Sequence, residues 1–220
     1  MADGAAHGEK TWLWPGVWAA SLTMVVAWSA WKPHDYPDWA LESFPVFLGV
    51  AVLAATRRRF PLTTMAYVLI WLHACVLVIG GHYTYAAVPL FNWVRDTFGW
   101  FTRNNYDRLG HFMQGFVPAI IVREVLLRAS PLKRGKWLVV LTVAVCMTIS
   151  VFYEFIEWWT ALIMGTGADE FLGTQGDPWD TQWDMFTCLI GCVTAHLTIR
   201  RWHDRQVERL TSARAERAAG

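Results

Sequence analysis

The stretch WLVVLTVAVCMTISVFYEFIEWWTALIM, residues 137–164, decides the fold class of this chain. No charged residue occurs in it before Glu154, and its 28 residues exceed the roughly 20 that an α-helix needs to cross about 30 Å of hydrocarbon. An apolar run of this length is typical of a membrane span and not of a helix in a soluble core. We therefore expect residues 137–164 to cross a bilayer as one helix.

Similar apolar blocks recur along the whole chain. Together with the stretch above they predict six spans, at residues 12–31, 41–56, 60–80, 106–127, 137–164 and 179–202. Hydrophobic residues make up 55% of the 220 residues and charged residues only 17%, a composition that is rare in soluble domains. The first block lacks the cationic start and small-residue cleavage site of a signal peptide, so we expect it to be retained. The prediction is an all-α fold, a polytopic transmembrane helical bundle over residues 1–202.

Lysine and arginine set the predicted orientation of this bundle. If the N-terminus lies inside, the inner segments hold 15 of the 19 basic residues, including the run 57–59 and all five in the stretch 123–136. The positive-inside rule then places both termini in the cytoplasm. We predict a multi-pass protein of the bacterial inner membrane, with a charged cytoplasmic tail at residues 203–220 that contacts anionic membrane lipids. Pro45 predicts that the outer end of the second span unwinds or tilts.

Polar side chains gather at the outer ends of three predicted spans. The fourth span opens with YDRLGHFMQG (106–115), the fifth contains YEFIEWW (153–159), and the sixth is entered through DPWDTQWDM (177–185). The helical period places the polar members of each motif about one turn apart, and the rise of 1.5 Å per residue puts all of them in one shallow layer. The six charged members are Asp107, His111, Glu154, Glu157, Asp180 and Asp184.

This layer predicts a divalent metal site. Ionised carboxylates near hydrocarbon are unfavourable by on the order of several kcal/mol each unless protons or cations neutralise them. Carboxylates with one histidine supply the oxygen and nitrogen donors that Mg²⁺, Mn²⁺, Fe or Zn²⁺ use. The predicted ligands are Asp107, His111, Glu157 and Asp184. Glu154 and Asp180 are the predicted catalytic pair, as a second ligand set or a general base, and His82 and Gln114 are additional candidates.

Two alternatives for the same layer stay open. One is a hydrogen-bonded network that locks the three helices, with carboxylates protonated or paired with Arg103 and Arg108. The other is a proton or ion pathway through the membrane.

Two further outer segments lie between the spans. Residues 81–105 are rich in aromatic residues, which predicts an amphipathic interfacial helix at 87–98 and an aromatic surface able to contact a protein partner. Residues 165–178 contain four glycines and three acidic residues, which is typical of a turn-rich loop. Nothing in the sequence supports nucleic-acid binding.

The polar motifs resemble a known family. The stretches GHYTY (81–85), NNYDRLGHF (104–112), YEFIEW (153–158) and GTQGDPWDTQWDM (173–185) are similar to those of the YjdF-type bacterial inner-membrane proteins. The resemblance covers about residues 44–202 and implies the same topology, but it implies no established activity. More distantly, the order of the aspartate–histidine, paired-glutamate and paired-aspartate motifs resembles that of VanZ-like membrane proteins.

Three functions are compatible with this pattern. The first is a metal-dependent membrane enzyme, a hydrolase acting on a lipid or lipid-linked substrate, in which the metal activates water and a carboxylate acts as general base. The second is a non-catalytic scaffold or assembly partner. The third, an ion-coupled transporter, is less favoured because the inner halves of the spans are almost purely apolar and no repeated half is present.

Overall fold

The computed structural model of the chain describes residues 4–99, 101–164 and 175–219, and within these ranges it contains eight α-helices and no strand. The prediction of an all-α bundle is therefore confirmed. The helices are α1 (Gly4–Ser29), α2 (Tyr36–Thr56), α3 (Thr64–His82), α4 (Pro89–Phe98), α5 (Tyr106–Ala129), α6 (Lys136–Met164), α7 (Asp180–Thr198) and α8 (Arg200–Ala219).

The first two helices begin before their predicted spans. Helix α1 begins at Gly4, eight residues before the predicted start. Helix α2 begins at Tyr36, five residues before the predicted start, because Asp35 caps it by accepting a 2.9 Å hydrogen bond from the Asp38 backbone N–H. It also continues through Pro45 without the predicted unwinding. A proline removes a single backbone donor, and a helix packed on its neighbours tolerates that loss inside a membrane.

Boundaries of later segments also move. Helix α3 begins at Thr64, four residues after its predicted start, where Thr63 caps it. The last predicted span ends at Thr198, and the charged tail forms a separate helix, α8, from Arg200. The interfacial helix α4 begins at Pro89, two residues after its predicted start, since proline suits the first turn of a helix. Most of the predicted loop at 165–178 lies outside the described residues.

Three of the described helices are long and apolar enough to cross a membrane: Tyr36–Thr56, Thr64–His82 and the residues Lys136–Ile163 of α6. Helix α1 adds a shorter apolar stretch, Gly16–Ser29. The chain is thus a helical membrane bundle, while six as the number of spans and the cytoplasmic position of both termini stay predictions.

Helix α5 occupies the centre of the bundle and packs against α3, α6 and α7. Its contact with α7 is a close approach of two backbones. A Cβ added at Gly115 would lie 1.8 Å from the Cys188 carbonyl oxygen, and one added at Gly191 would lie 2.1 Å from that of Phe112. Small residues at such crossings let transmembrane helices approach closely, so this contact fixes the rotation of α7 relative to α5.

The two ends of the bundle differ in chemistry. We call the end where α5 and α7 begin and α6 ends the acidic end; the predicted orientation places it outside. At the opposite, basic end, the fully buried Glu124 accepts hydrogen bonds from Arg128, from the Thr63 backbone N–H and hydroxyl group, and contacts His203. This node joins α3, α5 and α8.

Candidate metal centre

His111 lies at the centre of the acidic end, one turn into α5 and 6% exposed. Its Nε2 atom is 3.3 Å from Asp107 Oδ1 on the preceding turn and 3.8 Å from Asp184 Oδ2 on α7. One ligand atom from each of these three residues lies within 4.8 Å of the other two. The spacing fits three protein ligands around one ion, with positions left for water or substrate.

The other ring nitrogen of His111 sets the tautomer. Nδ1 lies 2.9 Å from Gln114 Oε1, and an amide oxygen only accepts hydrogen bonds, so Nδ1 carries the hydrogen. Nε2 then directs its lone pair towards the two carboxylate oxygens. Three electron-pair donors facing one another repel unless a cation, either a metal ion or a second proton on the ring, lies between them. Gln114 lies where the hydrogen-bond acceptor of a metal-binding histidine usually lies.

Two arginines hold the carboxylates in place. Arg108 donates to Asp184 Oδ1 at 2.7 Å and to Asp180 Oδ1 at 2.9 Å, and also reaches Asp177. Arg103 pairs with Asp180 and, at 3.4 Å, with Asp107 Oδ2. Asp107 and Asp184 therefore each direct one oxygen to a guanidinium group and the other towards His111.

This arrangement contains the arginine pairing expected of a structural network. The pairing leaves the inward oxygens of Asp107 and Asp184 directed at His111, so it is compatible with a metal site. Asp180 is different, because both guanidinium groups contact its Oδ1 atom. It is not among the three residues whose ligand atoms converge.

The two glutamates of α6 lie in different surroundings. Glu154 is 7% exposed; its Oε1 atom is 3.9 Å from His111 Nδ1 and has no hydrogen-bond partner among the described residues. Glu157 lies three residues further on, about 60° round the helix, and lines an adjoining cavity. The structure therefore brings three of the four predicted ligands together and places Glu157 beside them, outside the converging group.

That cavity has a volume of about 210 Å³ and lies between α2, α3, α5 and α6. Asp107, His111 and Gln114 form one side of it, and Glu42 and Tyr153 lie on α2 and α6. The Tyr153 hydroxyl group donates a 2.9 Å hydrogen bond to Glu42 Oε2. The sequence reasoning missed both residues; the available signal was that Glu42 is the only charged residue in the apolar block 41–56.

His82, an additional candidate metal ligand, contacts residues outside the His111 group. Its Nδ1 atom lies 2.8 Å from the Ser29 carbonyl oxygen, and its ring centroid is 4.6 Å from those of Trp28 and Tyr83. It therefore joins α3 to α1, and none of these contacts involves the His111 group.

The chain is thus a polytopic membrane protein with a buried polar centre. This centre is the carboxylate–histidine group where three helix ends meet. Comparison with known proteins identifies the family: the chain belongs to the DUF2238 family of predicted membrane proteins, whose family model matches residues 15–205.

One curated relative is the inner membrane protein YjdF of Escherichia coli (strain K12). It is 48% identical over 191 residues, which cover 87% of this chain and 91% of the relative. The YjdF-type resemblance is confirmed, and the predicted inner-membrane localisation agrees with this relative. The comparisons do not show the more distant VanZ-like resemblance, and no solved structure matches the chain significantly.

Proposed function

We propose that the acidic end is the active site of a metal-dependent membrane enzyme that acts on a lipid or lipid-linked substrate. The observation that carries this proposal is the convergence of Asp107 Oδ1, His111 Nε2 and Asp184 Oδ2, with the Nδ1 atom of His111 held by Gln114. Mixed carboxylate and imidazole ligands suit Zn²⁺, Mn²⁺ or Fe, and Mg²⁺ if carboxylates and water dominate.

The proposed reaction is hydrolysis. Asp107, His111 and Asp184 would hold a divalent ion, which would lower the pKa of water at the site, and Glu154 would accept the proton of the attacking water. Glu154 suits this role because its Oε1 atom has no hydrogen-bond partner among the described residues and lies beside His111. The proton then passes to the leaving group, so Glu154 returns to its starting state. Arg103 and Arg108 hold the two ligand carboxylates throughout.

The test uses the purified full-length protein, stripped of metal with a chelator and mixed with a bacterial lipid extract in detergent. Each of the four candidate metals is added separately, and lipids are compared by mass spectrometry before and after incubation. We expect one lipid class to be consumed only with metal, and expect His111→Ala and Glu154→Gln to abolish the loss. His34→Ala, a change at an exposed histidine, is the matched control. A lipid profile unchanged by every metal would contradict hydrolysis and favour the scaffold function.

A further inference from the structure

The cavity beside His111 lies at a seam between two helices that pack on different neighbours. Helix α2 packs chiefly against α3, whereas α6 packs against α5 and α7. The hydrogen bond from Tyr153 to Glu42 links α2 to α6 in the wall of the cavity. We call the part of the wall formed by Glu42, Pro45, Ile149 and Tyr153 the α2–α6 seam.

The apolar character of α2 and α6 and the exposure of Ile149 indicate that the seam faces the hydrocarbon of a bilayer. Both α2 and α6 are long and apolar enough to cross a membrane. Ile149 forms part of the cavity wall and is also 42% exposed on the surface of α6. It lies five residues before Glu154, about 7.5 Å further from the acidic end. At that depth the surrounding medium is lipid tails and not water.

Apolar and acidic side chains both line the cavity. Leu77, Pro118 and Ile149 contribute apolar surface, His73 adds an imidazole, and the described lining contains three acidic residues but no lysine or arginine. Carboxylates repel a phosphate group at short range in a medium of low dielectric constant. The lining therefore suits a hydrocarbon chain followed by an uncharged linkage such as an ester.

We propose that the substrate is an acyl lipid that reaches His111 from within the bilayer, through the α2–α6 seam. Its hydrocarbon chain lies along Ile149 and its uncharged linkage lies at the His111 group, while the Tyr153–Glu42 hydrogen bond closes the seam when the cavity is empty. The inference rests on the proposed function for the reaction that follows, whereas lipid entry itself is measured separately.

The probe is a diacylglycerol that carries a photoactivatable diazirine next to the ester of one acyl chain, at low mole fraction in nanodiscs with the full-length protein. After illumination, the labelled positions are mapped by mass spectrometry. Surface lipid labels the outer faces of the helices, so the informative label is the one on the cavity side of α5 around Gly110, which is buried.

Three variants give the expected results. Ile149→Trp fills the seam and lowers the α5 label by about tenfold, whereas Val145→Trp, one turn away on the same helix and outside the cavity lining, leaves it unchanged. Tyr153→Phe removes the closing hydrogen bond and raises the label by about fivefold, which keeps a test available if Ile149→Trp does not fold. An α5 label that is absent, or equal in Ile149→Trp and wild type, would overturn lateral entry.

Metal content measured on the same samples keeps the two proposals apart. Labelled protein without metal would contradict the proposed enzyme and support the lipid route. Metal-loaded protein without the α5 label would contradict the lipid route and leave the proposed enzyme standing.

Discussion

Because Gly115 contacts the backbone of α7, we predict that Gly115→Ala destabilises the protein. The added methyl group would lie 1.8 Å from the Cys188 carbonyl oxygen, whereas real Cβ atoms essentially never come within 3.0 Å of such a neighbour. Because that neighbour is backbone and not a flexible side chain, α5 and α7 must separate by about 1 Å or rotate. Asp184 lies one turn before Cys188, so it moves away from His111 at the same time.

The magnitude follows from the rigidity of the contact. Overpacking a well-packed core destabilises by about 1–3 kcal/mol, and we expect a clash with backbone to reach about 3 kcal/mol. For a chain of this size, that corresponds to a fall in melting temperature of roughly 6–12 °C. Since the clash is with a carbonyl oxygen, adding Cys188→Ala is not expected to restore stability.

Thermal unfolding of the purified protein in detergent, followed by tryptophan fluorescence, measures this effect. Gly49→Ala is the matched control, because Gly49 lies inside α2 with no atom within 4 Å of its added Cβ. We expect this control to retain the melting temperature of the wild type or exceed it, since alanine favours helix over glycine. A Gly115→Ala protein with the same melting temperature as Gly49→Ala would refute the close α5–α7 contact.

Three further substitutions test separate parts of the account. Gln114→Leu removes the acceptor at His111 Nδ1 and is expected to lower metal affinity by about 10–100-fold in chelator competition, with little change in melting temperature. Arg108→Met leaves Asp184 without an arginine partner, while Arg103 still pairs with Asp180, and should destabilise by about 3–5 kcal/mol, whereas Arg95→Met, at an exposed pair, should leave the melting temperature unchanged. Glu124→Gln removes the charge shared by α3, α5 and α8 and should expose α8 to limited proteolysis. Equal cleavage of α8 in the variant and the wild type would contradict the role of Glu124 in joining these helices.

Much of the architecture follows from the sequence because length and periodicity act locally. An apolar block of sufficient length is one helix, and the 1.5 Å rise fixes the depth of a side chain once the helix is known. This reasoning placed Asp107, His111 and Asp184 in one layer, and the structure brings those three together. It also identified Gln114, because a residue three positions from His111 lies on the same face of α5.

The remaining details depend on how one helix is rotated against another. The approach at Gly115 and Gly191 sets the rotation of α7 relative to α5, and with it the position of Asp184 between Arg108 and His111. Spacing within one motif does not contain that information. For the same reason Glu157, although one turn from Glu154, lines the cavity and does not join the converging group.

Glu42 illustrates a different limit. A single acidic residue near the start of an apolar block has the same sequence signature whether it lies near the membrane surface or points into a cavity. Only the packing of α2 against α3 brings it within 2.9 Å of the Tyr153 hydroxyl group. The contact joins residues 111 positions apart in the chain, and no local pattern connects them.

The central claim is that Asp107, His111 and Asp184 bind a metal ion, and elemental analysis of the purified full-length protein tests it most directly. After dialysis against metal-free buffer, we expect about one divalent ion per wild-type chain. His111→Ala and Asp184→Asn should lose it, and His34→Ala should retain it. Wild-type protein that holds no more metal than His111→Ala, after each candidate ion has been offered, would contradict the account.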